Sequence, residues 1–338
     1  MDDSGASVDG VRVPVGNAGE WDALKPELRG RLWRLLGEMP EAFVPAATIA
    51  SRRERGGYIL ERLSFENGAG AVVYGYAMVP KGRAGRYPAI LYNHYHGGRY
   101  AQGKEEIRRR AFTRWRGGHR LVTGEELVRA GYLVLCIDAY AFGERRHCGP
   151  AGSRERAGQT EASLFKAFLW EGATLWGMMV RDDVLALNYL ASRADVDAGR
   201  IAAMGMSMGA TRSWWLAALD ERIKVTVSAA CLTRYQNLLE CGRLSEHGIY
   251  YYVPRMLREG MDIEKVVGLI APRAHLTLTG DSDEGSPAEG VRIINEFQRR
   301  LYGLYGSDNF RGVIYEGAGH TYTPQMWAET VQWLKERL

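Results

Sequence analysis

Apolar positions along the chain fall into two rhythms. Short runs, either continuously apolar or alternating with polar residues, recur as YILERLSFE, AVVYGYAMV, PAILYNH, YLVLCIDAY, RIAAMGM, IKVTVSAA, AHLTLTG and GVIYE. Bounded by Gly, Pro, Asn and Asp, runs of this length predict strands. Between the later ones lie stretches whose apolar residues return at helical spacing: GEELVRAG, GMMVRDDVLALNYLASR, MGATRSWWLAALDE, AEGVRIINEFQRRLYGL and PQMWAETVQWLKERL. Each such stretch carries an apolar stripe down one face of a helix.

The first two strands are separated by NGAG and read as an antiparallel hairpin. From there on strands alternate with helices, and near-continuous apolar strands are those buried on both faces. The predicted fold class is α/β: a mostly parallel, eight-stranded sheet covered by helices on both sides. Ahead of it, Trp21, Leu24, Leu28, Leu32, Leu35 and Leu36 stand at helical spacing, and Pro40 closes the pattern. Residues 1–54 are therefore read as an N-terminal extension with a helix, and 55–338 as one domain. Two irregular segments, near 99–121 and 232–265, interrupt the alternation and are expected to wall a site.

Composition narrows the class. An apolar share of 46% and a charged share of 25% are those of a soluble globular protein. A net charge of +4 over 338 residues argues against a nucleic-acid partner. No apolar run approaches the roughly 20 residues that cross a bilayer, and the polar start MDDSGASVDG lacks a signal core, so a cytoplasmic location and no membrane partner are expected. Cys136, Cys148, Cys231 and Cys241 show no CxxC spacing and read as reduced thiols. The Arg-rich IRRRAFTRWRGGHR reads as a solvated loop or subunit contact; a sharper reading has Arg108 to Arg116 hold an anionic substrate. The N-terminal helix and the extra aromatic surface leave a homo-oligomer open.

The chemistry concentrates in RIAAMGMSMGATRSWW, where Gly205, Ser207 and Gly209 form G-x-S-x-G between a strand and a helix. Serine on such a turn is forced into a strained backbone conformation, and the flanking glycines let strand and helix approach closely. The helix N-terminus then faces the charge that develops when the serine attacks a carbonyl. A serine hydroxyl needs a base, and in this architecture an acid and then a histidine follow it in sequence. GDSDEGSP and GAGH, each ending a predicted strand, supply Asp283 and His320. Asp281 is the second choice for the acid; whichever carboxylate is not used is a turn-former. Met206 and Met208 flank the nucleophile as an apolar floor, and Tyr250 to Tyr252 with Met256 read either as a wall over the acyl or alcohol pocket or as packing between helices.

With GMSMG, GDSDEGSP and GAGH in place, residues 55–338 resemble the α/β-hydrolase superfamily, within it the dienelactone-hydrolase and acetyl-xylan-esterase-like branch. AGYLVLCIDAYAFGERR and LWGMMVRDDVLALNYLASRADVDAGRI add to the resemblance. It implies a serine hydrolase of carboxylic esters, acting on a small-molecule ester with a short, acetyl-type acyl group. Carbon–carbon bond hydrolysis, lactone opening and acyl transfer use the same machinery. A binding protein without catalysis fits less well, because all three catalytic positions are filled.

The resemblance also gives NHYHGG a role. Its turn, His94 to Gly98, occupies the place of an H-G-x-G-G-like turn, so the backbone N–H of His96 is expected to pair with that of Met208 as an oxyanion hole. Tyr95 departs from the pattern, which has glycine there. H-x-H also supplies two metal ligands, but the further ligand spacing of a metallohydrolase is missing, and neither metal nor cofactor is expected.

Overall fold

The computed structural model describes residues 11–82, 85–109 and 122–338. Strands β1 (Thr48–Arg55), β2 (Tyr58–Glu66), β3 (Val72–Pro80), β4 (Tyr87–Asn93), β5 (Leu133–Ile137), β6 (Val196–Met206), β7 (Ile223–Ala229), β8 (Ala274–Gly280) and β9 (Phe310–Tyr315) form one sheet. Their order is β1-β2-β3-β5-β4-β6-β7-β8-β9. The β1, β2 and β3 strands and the β3–β5 pair are antiparallel, and every pairing beyond is parallel.

Among the described residues the sheet has nine strands, not the eight expected. The additional one is β1, TIASRRER, an edge strand with no fully buried residue. Ile49 alone packs against the larger core, so the strand carries no apolar alternation, which is the signal that reveals strands in sequence. It also begins before residue 55, so the boundary drawn there runs through a strand.

Helices α1 (Ala18–Leu36), α2 (Thr123–Arg129), α3 (Gly158–Trp170), α4 (Leu175–Ser192), α5 (Met208–Leu219), α6 (Tyr235–Glu240), α7 (Ile263–Gly268), α8 (Ala288–Leu304) and α9 (Pro324–Arg337) cover the sheet. Two apolar cores result, one per face. The larger joins α1, α4, α5, α7 and α8 to one side of the sheet, and the smaller joins α2 and α9 to the other. In α8, Val291, Ile294, Phe297 and Leu301 form the stripe predicted from spacing.

The N-terminal helix belongs to this packing. Asn17 caps it by accepting the Glu20 N–H at 3.0 Å, and Gly37, at φ 105°, ends it. Trp21 is fully buried and donates its indole N–H to Gly268 O at 3.1 Å. Arg29 donates to Ala218 O at 2.9 Å, at the end of α5. All four cysteines are free thiols. Among the described residues no helix is long and apolar enough to cross a membrane.

Candidate active site

Parallel pairing lines up the ends of β4, β6, β7, β8 and β9 on one edge of the sheet, so the loops that leave them converge. Ser207 sits on the turn from β6 into α5 with φ 56° and ψ −125°, a left-handed region that disfavours a side chain. Its N–H is tied to Ala229 O at 2.9 Å, and its own carbonyl accepts the Thr211 N–H at 3.0 Å. The flanking glycines have a steric cause. A Cβ on Gly209 would lie 2.0 Å from Asn93 O, at the end of β4. One on Gly280 would lie 2.0 Å from Ala318 O, preventing the loops after β8 and β9 from touching.

Those two loops carry the partners. His320 Nε2 lies 2.9 Å from Ser207 Oγ, and His320 Nδ1 lies 2.8 Å from Asp283 Oδ2. Asp283 is buried, and its other oxygen accepts the Gly285 N–H at 3.0 Å. Asp281 points elsewhere: it accepts the Gly317 N–H at 2.8 Å and the Ser282 hydroxyl at 3.0 Å, which makes it a turn-former. The structure thus brings together Ser207, His320 and Asp283 and keeps Asp281 apart.

Met208 opens α5, where a backbone N–H has no carbonyl one turn earlier to bond. The N–H of Tyr95 is taken by the Glu106 carboxylate at 2.7 Å. That of His96 meets no protein acceptor among the described residues. The two histidine side chains have separate tasks. His94 is fully buried, with Nδ1 2.9 Å from Tyr95 O, and its Nε2 accepts the Ala139 N–H at 3.1 Å. Burial holds its pKa well below the ordinary histidine value, so it anchors the turn as a neutral ring. His96 Nε2 reaches the buried Glu161 at 2.9 Å, and its ring stacks on Tyr250 at 4.9 Å. Among the described residues no group of three or more His, Cys, Asp or Glu side chains is arranged to hold a metal ion.

A cavity of about 310 Å³ opens over Ser207, walled by Cys231, His247, Tyr250 and Tyr251, with Glu246 and Glu284 also lining it. Burial pushes the Cys231 thiol up to about 11, so it stays protonated beside the serine. Tyr252 and Met256 line a neighbouring apolar crevice of about 270 Å³ instead. Met206 and Met208 are buried and line neither. Of the expected wall near 99–121, residues 110–121 lie outside the described residues.

Sequence reasoning did not single out His247 or Glu161. His247 Nε2 lies 2.6 Å from Gly285 O, so its N–H braces the loop that carries Asp283. It stands in an irregular stretch without periodicity, and Glu161 lies 65 positions from the histidine it contacts.

The sheet order and the serine turn define an α/β-hydrolase. Residues 111–246 match the dienelactone hydrolase family. The chain is also 36% identical over 318 residues to the Bacillus subtilis (strain 168) protein named "Putative hydrolase YtaP", covering 93% of this chain and 100% of that one. The chain belongs to the dienelactone hydrolase family. Among solved structures, the glucuronoyl esterase from Solibacter usitatus matches with a TM-score of 0.69 at 16% identity, over 95% of this chain and 94% of that one. The acetyl xylan esterase from Paenibacillus sp. R4 matches with a TM-score of 0.61 at 17% identity, over 98% of each chain. At these identities the likeness is one of fold.

Proposed function

We propose that this protein is a serine hydrolase of carboxylic esters with short acyl groups. The observation that carries the reading is the hydrogen-bond chain from Ser207 Oγ through His320 to Asp283, with links of 2.9 and 2.8 Å, at a serine held with φ 56°. His320 Nε2 takes the serine proton as Oγ attacks the ester carbonyl carbon. Asp283 orients the ring and stabilises its cationic form. The carbonyl oxygen becomes an oxyanion facing the N–H groups of Met208 and His96.

Collapse of that intermediate restores the carbonyl and expels the alcohol, which leaves with the proton from His320. Water then attacks the acyl-serine, giving its proton to His320. The carboxylic acid departs and Ser207 regains its hydrogen. No step calls for a cofactor. The small cavity supports a short acyl group, and the Glu246 carboxylate that lines it favours a neutral ester over an anionic one, Glu284 being paired with Arg243 at 2.7 Å.

The test is hydrolysis of nitrophenyl esters from acetyl to dodecanoyl by wild type and by Ser207→Ala. Rates that fall steeply with chain length and vanish in the variant support the reading. Rates that rise with chain length move the acyl group into the neighbouring apolar crevice and remove the short-acyl assignment. Silence on every ester removes the esterase.

A further inference from the structure

Two Arg-rich stretches far apart in sequence, SRRER at 51–55 and IRR at 107–109, meet in space at Arg53, Arg55, Arg108 and Arg109. In β1, alternate residues share a face of the sheet. The register sets Ser51 against Arg62, Arg53 against Leu60, and Arg62 against Tyr76 in β3, so these side chains stand on one side. Arg108 and Arg109 arrive from the turn after β4 and close the other side. The concavity between them measures about 720 Å³, more than twice the cavity over Ser207.

Its floor is built from Leu60, Tyr76 and Lys104, all buried. The two carboxylates in it are already engaged. Glu144 pairs with Lys104 and Arg62, and Glu105 pairs with Arg108 while accepting the Tyr76 hydroxyl at 2.6 Å. Buried Lys104 is further matched by Asp138 at 2.6 Å. Arg53, Arg55, Arg109 and Arg146 make no ion pair among the described residues. Four such guanidinium groups around one hollow repel one another unless an anion joins them, and a low-dielectric floor focuses their field into it. The whole protein carries only +4, so this charge is a local feature.

We propose that this hollow binds a small, multiply charged oxyanion, a ligand bearing two or three phosphate or carboxylate groups. Guanidinium forks match both groups through paired hydrogen bonds. A concave volume of this size suits a small molecule rather than the extended stripe that tracks a nucleic acid. The site is independent of the Ser207 reading, because it shares no lining residue with the serine cavity.

Isothermal titration calorimetry of the whole protein with sodium tripolyphosphate, and separately with citrate, tests it. One-site binding of either is expected, weakened about tenfold or more in Arg53→Gln/Arg55→Gln and changed by less than about twofold in Arg299→Gln/Arg300→Gln. The second variant removes equal charge from the exposed face of α8, far from the hollow. Tighter binding of tripolyphosphate assigns a phosphate ligand, and tighter binding of citrate a carboxylate one. No binding of either in about 0.02 M salt, where screening is weak, overturns the proposal. So does equal weakening in both variants, or tighter binding of a single-stranded oligonucleotide with the same arginine dependence. Unchanged melting of the variants verifies that they are folded.

Discussion

Replacing Glu106 with glutamine should remove a large part of the pH dependence of this protein's stability. The carboxyl is buried and is held between the Tyr92 hydroxyl at 2.7 Å and the Tyr95 N–H at 2.7 Å. Burial pushes its pKa from 4.5 up to about 8. Below pH 4.5 the group is protonated in both folded and unfolded chains, and the stability it contributes is fully present. As pH rises from there to 8, the unfolded chain has released a proton that the folded chain still holds, so unfolding becomes easier. A shift of about 3.5 units at about 1.36 kcal/mol each amounts to about 5 kcal/mol lost across that window.

An unfolding entropy of about 2.1 cal/mol/K per residue gives about 0.7 kcal/mol/K for this chain, so the loss corresponds to about 7 °C. Glutamine fits the same place, since its oxygen accepts from Tyr95 and its amide donates to the Tyr92 oxygen. Melting curves for both proteins from pH 5 to 9 give the difference directly, because every other titrating group cancels. The variant should gain on wild type by several degrees towards pH 9. Curves that stay parallel to within about 1 °C would refute the argument.

Asp283→Asn should lower kcat by about 10²- to 10⁴-fold, while Asp281→Asn leaves kcat within a few-fold, as measured on a short-acyl nitrophenyl ester. Gly209→Ala pushes a methyl group into Asn93 O and displaces the start of α5, so kcat should fall by about 10²-fold or more in protein with unchanged circular dichroism. Asp183→Asn strips the carboxylate from buried Arg212, to which it is linked at 2.9 Å across α4 and α5, and should cost about 3–5 kcal/mol in urea unfolding. Unchanged stability there would show that water reaches the guanidinium.

Legibility in the sequence followed burial. β4, β5 and β8 are buried along their whole length, and their apolar runs announced them. β1 faces solvent and did not. Helix α3 was also missed, because only Thr160, Glu161 and Leu164 are buried on it and two of those are polar. Ser207, Asp283 and His320 were readable because each follows a strand end in a glycine setting that close packing demands. Glu106, Glu161 and His247 support that site through contacts 11, 65 and 38 positions away, and no local pattern encodes such distances. The irregular segments place Tyr250 and Tyr251 over the serine but Tyr252 beside it, a division that three consecutive tyrosines do not show by themselves.

Ester hydrolysis through an acyl-enzyme requires Ser207 to be a nucleophile in the folded protein. Incubation with a fluorophosphonate, followed by intact-mass measurement and peptide mapping, tests this without any knowledge of the natural substrate. One phosphonyl group per chain, on the peptide containing Ser207 and absent in Ser207→Ala and strongly slowed in His320→Ala, is the predicted result. No adduct on folded wild type, or an adduct that persists in Ser207→Ala, would contradict it.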